Sequence, residues 1–156
     1  NDAAHLFLAE QIQAHSFTRE YRAVVYGVVK QDSGIWNVPL GRSRADRKKI
    51  AVNGENPREA VTNYEVLQRF PRFTYMKFLL ETGRTHQIRV HSAYAGHPVA
   101  GDDVYGPKKC ISELQGQCLH AKKLGFIHPS TREYMEFDSE LPAYFQKFLL
   151  KAEKIT

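Results

Sequence analysis

The run Glu81-Thr82-Gly83-Arg84-Thr85-His86-Gln87-Ile88-Arg89-Val90-His91 puts a glycine, two arginines and two histidines at a strand-to-helix junction. Free N–H groups at a helix start attract anions. Arg84 falls in the turn, and Arg89 lies one turn inside a helix that Thr85 can cap, on the face of Thr85. An arginine so placed can reach past the strand ends and grip a carboxylate with its two-pronged fork. The same spacing also fits a surface arginine on an amphipathic helix. Tyr21 opens a strand directly after Arg19-Glu20. A tyrosine there can stack on a base or handle a proton, or simply fill the rim of a core. Residues 41–49 carry five basic side chains, Arg42, Arg44, Arg47, Lys48 and Lys49. That density of planar forks and point charges suits phosphate contacts as well as a solvated loop.

Other chemistries are poorly served. His86, His91 and His97 are spaced five and six apart, so they do not stack on one helical face, and no acidic cluster completes a metal site. Asp102 and Asp103 are adjacent and diverge, which suits a turn. There is no Gly-x-Ser-x-Gly, no Walker-type phosphate loop and no dinucleotide fingerprint.

These residues need a scaffold. Asn1-Asp2 can cap a helix running to about Ala14, with Ala4, Leu8 and Ile12 in a stripe flanked by Phe7. Tyr21 to Val29 is apolar on both faces, as a central strand should be. Ile35 to Leu40 reads as a short strand limited by Pro39, and the basic run 41–49 as an exposed hairpin loop leading to Ile50-Ala51-Val52. Ala60–Arg69 and Phe73–Leu80 form one hairpin; Leu119–Ile127 and Glu133–Phe137 form another. A helix spans His86–Ala95 and stops at Gly96, and Leu141-Pro142 opens a last helix with Phe145, Phe148 and Leu149 on its apolar face. The class is α+β, a mixed, mainly antiparallel sheet with flanking helices, and residues 1–156 form a single domain.

The chain of 156 residues is 42% hydrophobic, enough for a core and too apolar for a disordered tail. No apolar run approaches a membrane span, and Asn1 is not followed by a signal-peptide pattern. Cys110 and Cys118 fit no zinc spacing and read as free thiols of a cytosolic protein. The charge of +5 and isoelectric point near 9.2 favour a polyanionic partner.

Together these stretches resemble the RluA/RluD family of RNA pseudouridine synthases. The run Thr82–His91, with Gly96-His97-Pro98-Val99 and Gly101-Asp102-Asp103-Val104-Tyr105-Gly106, is similar to the family's third motif, and Glu20-Tyr21-Arg22-Ala23-Val24-Val25-Tyr26-Gly27 to its second. In that motif Arg19 stands where lysine is usual. The stretches 46–52 and 59–64, and Leu119-His120-Ala121 with His128-Pro129, also fit.

The resemblance implies a cytoplasmic, bacterial-type enzyme that isomerises uridine to pseudouridine in RNA, with large-subunit ribosomal RNA favoured over tRNA and with no metal or other cofactor. A flipped uridine would enter a cleft. Tyr21 would stack on the base and take the C5 proton, and Arg89 would pair with a nucleophilic aspartate. Leu119 or Leu124 would pack beneath the base, and Arg42, Arg44, Arg47, Lys48, Lys49, Arg84 and His86 would meet the RNA.

The family's nucleophile lies in a His-Arg-Leu-Asp motif, and this chain has none; Asp2, Asp32, Asp46, Asp102, Asp103 and Asp138 stand in other contexts. The chain is therefore expected to be the C-terminal part of a catalytic domain, inactive alone, with strand edges exposed or paired to another chain. A non-catalytic basic RNA-binding module is the alternative, and a histidine-metal nuclease is a poor third.

Overall fold

The computed structural model of the protein describes residues 1–13, 17–109, 111, 113, 114 and 116–155. In chain order the elements are α1 (Asp2–Gln13), β1 (Thr18–Tyr26), β2 (Ser33–Asn37), β3 (Leu40–Arg42), β4 (Ile50–Val52), β5 (Glu55–Arg58), β6 (Val61–Arg69), β7 (Phe73–Leu80), α2 (Gln87–Tyr94), β8 (Leu119–Ile127), β9 (Tyr134–Asp138) and α3 (Ala143–Ala152). A six-stranded sheet has the order β2-β6-β7-β1-β8-β9, and a small sheet the order β4-β3-β5. Every strand ladder among the described residues is antiparallel.

β1 is the central strand the apolar pattern predicts. Val24 belongs to a cluster with Phe73, Phe145 and Phe148 beneath α3. Ala23 and Val25 belong to a second, with Met76, Phe78 and Ile88 beneath α2. Tyr21 and Leu119 pack against that second cluster, so both stand on the α2 side. The small sheet docks on α2 through Leu40, Ala60 and Val90.

Several boundaries differ from expectation. β1 ends at Tyr26 rather than Val29, because Gly27 at φ 77° turns the chain. The expected strand Ile35–Leu40 is two strands in two sheets, broken at Val38-Pro39. β5 went unforeseen: it is four residues long, contains Pro57 and offers no alternation to read. Thr85 does not cap α2. The cap position is His86, left-handed at φ 55°, with no side-chain cap bond. The expected end of α1 at Ala14 lies outside the described residues, as does Cys110. Cys118 is a buried free thiol, pushed up to about 12 by burial.

Gln11 ties α1 to β8: its side-chain amide donates to the Ile127 carbonyl at 2.7 Å and accepts from the Ile127 N–H at 2.6 Å. β2 and β9 are the edges of the large sheet, and Ile35, Tyr134 and Phe137 on them are exposed. No helix among the described residues is long and apolar enough to cross a membrane.

Candidate active site

The start of β1, the end of β7, the turn into α2 and the start of β8 surround a cleft of about 350 Å³, lined by Tyr21, Leu80, Arg84, His86, Gln87, Ile88, Arg89, Gln117 and Leu119. That volume lies at the lower end of the ~300–1,000 Å³ typical of small-molecule sites. Five residues singled out in the sequence, Tyr21, Arg84, His86, Arg89 and Leu119, share it. Tyr21 sits opposite Phe78 and Ala121, beside a bulge where β8 carries one extra residue, Lys122.

Leu124 does not share the cleft. It lines an adjoining hollow of about 340 Å³ with Arg19, Lys122, Lys123 and Phe137, and Tyr21 forms the wall between the two. The choice left open in the sequence, Leu119 or Leu124, thus becomes a choice between two sides of Tyr21.

Arg89 is already gripped. Its Nε donates to Asp102 Oδ2 at 2.8 Å and its Nη2 to Oδ1 at 3.0 Å. The Asp102 side chain is fully buried, that of Arg89 12% exposed. Asp102 also accepts the N–H groups of Val104 and Tyr105. Burial alone would raise the carboxyl's pKa, but the Arg89 fork and the two N–H groups outweigh it and hold the pKa below its ordinary value. The Asp102 hydrogen bond in turn raises Arg89. The Tyr105 ring lies 5.0 Å from the guanidinium carbon, in cation–π range. Asp102 does take the turn role its sequence context suggested, but it also fixes the cleft arginine, which adjacency to Asp103 concealed.

Asp102 is placed by backbone pairing along β1. Tyr26 N–H donates to Pro98 O, Ala100 N–H to Val24 O, and Cys118 N–H to Ala100 O. The chain then turns at Gly101, where φ is 81° and a Cβ would stand 2.3 Å from the Gly116 carbonyl oxygen. Only glycine fits there.

The turn into α2 is organised by Gln87, which is buried. Its carbonyl accepts from Thr82 Oγ1 and Arg84 N–H, and its amide donates to Val61 O and Thr62 Oγ1. Thr62 Oγ1 lies 2.8 Å from His91 Nδ1, and His91 Nε2 lies 2.9 Å from Val38 O. Nε2 must therefore carry a proton to meet that carbonyl, and Thr62 donates to Nδ1. Burial lowers the His91 pKa, consistent with a neutral ring.

His86 faces the cleft, its Nδ1 2.7 Å from the Tyr105 hydroxyl, which also accepts from Ile50 N–H. Desolvation, then the charge of Arg89, lowers its pKa. His97 bonds Tyr26 O instead, so the three histidines have separate partners. No group of three or more metal-type ligands occurs among the described residues.

A second hollow of about 460 Å³ lies between the small sheet and the turn before α2. Arg42, Arg47, Arg58 and Arg84 line it with Glu55, Gly41, Gly83 and Thr85. Arg84 lines both this hollow and the cleft, and its Nε is tied to Glu59 O at 2.7 Å. Arg47 pairs with Glu55. Arg44, Lys48 and Lys49 stay outside on the hairpin loop, with Arg44 bonded to Asn53 O. Arg58 escaped the sequence reading because it stands alone on the unforeseen strand β5.

The family model described as RNA pseudouridylate synthase matches residues 1–94. The chain belongs to this family. Within it, the likeness runs to the RluA/RluD enzymes. An uncharacterized RNA pseudouridine synthase, YlyB, of Bacillus subtilis (strain 168) is 49% identical over 142 residues, covering 91% of this chain and 46% of that protein. The ribosomal large subunit pseudouridine synthase D of Pseudomonas aeruginosa is 40% identical over 154 residues, covering 91% and 48%. The solved structure of human RNA pseudouridylate synthase domain containing 1 superposes with a TM-score of 0.76 at 25% identity, covering all of this chain and 73% of that one. The chain spans about half the length of the curated relatives it matches.

Proposed function

We propose that this chain supplies the base-binding half of the active site of a cytoplasmic pseudouridine synthase that isomerises uridine in RNA, with large-subunit ribosomal RNA as substrate. The observation that carries this is the shared cleft: Tyr21 and Leu119 offer it a ring and an apolar floor, Arg84 and Arg89 offer it cations. A flipped uracil lies against Tyr21 and Leu119, and unstacking it costs a few kcal/mol that this contact offsets. The N1–C1′ bond breaks, the uracil turns, and C5 bonds to C1′. C5 loses its proton to the Tyr21 phenolic oxygen as that hydroxyl passes its own proton on, and N1, released as an anion, takes one up, so the proton count balances. The strand continues across Arg84 into the basic hollow, where Arg42, Arg47 and Arg58 meet phosphates; Arg44, Lys48 and Lys49 add charge at its rim.

The reaction needs a carboxylate at C1′. No aspartate lines the cleft among the described residues, and Asp102 is committed to Arg89. Arg89, which lines the cleft, keeps N–H groups that Asp102 does not use and that can meet a nucleophilic carboxylate. By itself the chain is an RNA-binding module without turnover, able to associate through its β2 and β9 edges. The test is pseudouridine mapping of ribosomal RNA from a strain lacking the gene. Loss of pseudouridine at a large-subunit position, restored by the full gene and not by residues 1–156, is expected. An unchanged map, or restoration by residues 1–156, refutes the reading.

A further inference from the structure

Arg19 has no role in the site described so far. It is the second residue of β1, two before Tyr21, and lines one hollow with it. Its guanidinium reaches the turn before α2 by its Nη1 end: a Cβ built on Gly83 would stand 1.9 Å from that nitrogen. The Nε is buried without a hydrogen-bond partner among the described residues. Its nearest aromatic contact, the Phe17 ring at 6.0 Å, is distant. A buried donor left unsatisfied is costly, and a guanidinium left so beside another cation more so. That other cation is Arg84, adjacent to Gly83; with its Nε tied to Glu59 O, its two terminal nitrogens have no partner among the described residues. Desolvation first, then the nearby Arg84, lowers the Arg19 pKa, against the opposing influence of Tyr21. Asp138 in the adjoining hollow does not relieve the charge, because it is paired with Lys122 and Lys123.

Two guanidiniums with unpartnered N–H groups, one packed against Gly83 and one carried by the residue after it, each sharing a hollow with Tyr21, make a seat for an oxyanion. We propose that Arg19 and Arg84 clamp a phosphodiester of the RNA strand, the one next to the base held at Tyr21. This rests on the cleft being a base site. A phosphate fits better than a protein carboxylate, because the two guanidiniums approach from different elements and a phosphodiester offers two outward oxygens to separate donors. The seat also lies at the wall shared by the two hollows, where the sugar–phosphate of a base in the cleft must emerge.

The experiment uses the full-length protein and a labelled oligouridylate strand, titrated across a range of salt. Arg19→Gln should weaken binding about tenfold and lower the slope of log affinity against log salt by about 0.7. Arg19→Lys should keep the slope. Gly83→Ala retains the charge but drives the guanidinium off its seat, so it should lower affinity and slope like Arg19→Gln; this arm decides the matter where Arg19→Gln fails to fold. Unchanged affinity and slope in both altered proteins overturns the proposal. So does lost turnover with an unchanged slope, which would assign Arg19 to a protein carboxylate. If the wild type forms no pseudouridine while the slope still falls, the clamp stands and the isomerase reading fails.

Discussion

Arg89 and Asp102 meet through two parallel hydrogen bonds, at 2.8 and 3.0 Å, with the carboxylate fully buried and two backbone N–H groups, of Val104 and Tyr105, also donating to its Oδ1. Asp102 hangs from a segment paired to β1, and Arg89 comes from α2, so the contact locks the helix to the sheet at the cleft. The fork leaves both N–H groups of Nη1 and the second of Nη2 to act on anything else.

Removing one partner of such a pair strands the other. Asp102→Ala should destabilise the chain by roughly 3–5 kcal/mol, read from urea denaturation, because a nearly buried guanidinium loses its counter-charge. Asp102→Asn keeps the shape and should cost less. In the full-length enzyme, Asp102→Asn should lower kcat with little change in RNA affinity, since it frees Arg89 to rotate without touching the base. A kcat equal to wild type would show that Arg89 needs no such anchor.

Tyr21→Phe keeps the ring and removes the hydroxyl. Full-length enzyme carrying it should bind RNA within a few-fold of wild type, while turnover falls by about 10²–10⁴, the usual contribution of a positioned proton acceptor. Tyr21→Leu should weaken binding as well, by about 1–3 kcal/mol for the missing stacking surface. Retained turnover in Tyr21→Phe would remove the hydroxyl from the chemistry.

The sequence made the two long hairpins and β1 legible because their patterns are strong: a strand apolar on both faces at 21–26, and paired runs around Pro71 and Pro129. Boundaries set by a single backbone angle were not legible, as at Gly27 and at left-handed His86. In the site, Tyr21, Arg84, His86 and Arg89 were visible as types in a motif. The Asp102 contact was not, because thirteen residues separate it from Arg89 and only the pairing of 98–100 with β1 brings it back. Gln87 was missed for a similar reason. Its four partners lie on β6 and in the turn that follows β7, and nothing in the spacing announces that an amide can satisfy them all.

The chain from Gln87 through Thr62 and His91 to Val38 suits a neutral imidazole, whose Nδ1 accepts the Thr62 hydroxyl's hydrogen bond while Nε2 donates to Val38 O. Burial holds the folded pKa of His91 below its unfolded value near 6.5, against the opposing pull of the Val38 carbonyl. Below that value the unfolded chain binds more protons, so stability is full above about 6.5 and declines as pH falls towards the folded pKa. The urea midpoint should drop between pH 7.5 and 5.5. In His91→Phe the drop should be smaller, although the midpoint at pH 7.5 should itself be lower because Thr62 and Val38 lose their partner. Identical pH profiles would place the titration elsewhere, with His86 the next candidate because its pKa is lowered too.

The basic hollow separates arginines that share a surface from those that merely share a sequence. Arg42, Arg58 and Arg84 line it, while Arg44 bonds back to Asn53 and stays outside. An arginine that neutralises one phosphate should, when replaced by a neutral residue, lower the salt slope by about 0.7–0.9. Arg58→Gln and Arg42→Gln should each do so and weaken RNA binding without regard to sequence, whereas Arg44→Gln should alter the slope far less. Arg47→Gln should fall between, because its exposed pairing with Glu55 already spends part of its charge. Salt titrations of the four altered proteins on one RNA would decide it. Equal slopes for Arg44→Gln and Arg58→Gln would mean that the RNA runs along the hairpin loop and not through the hollow.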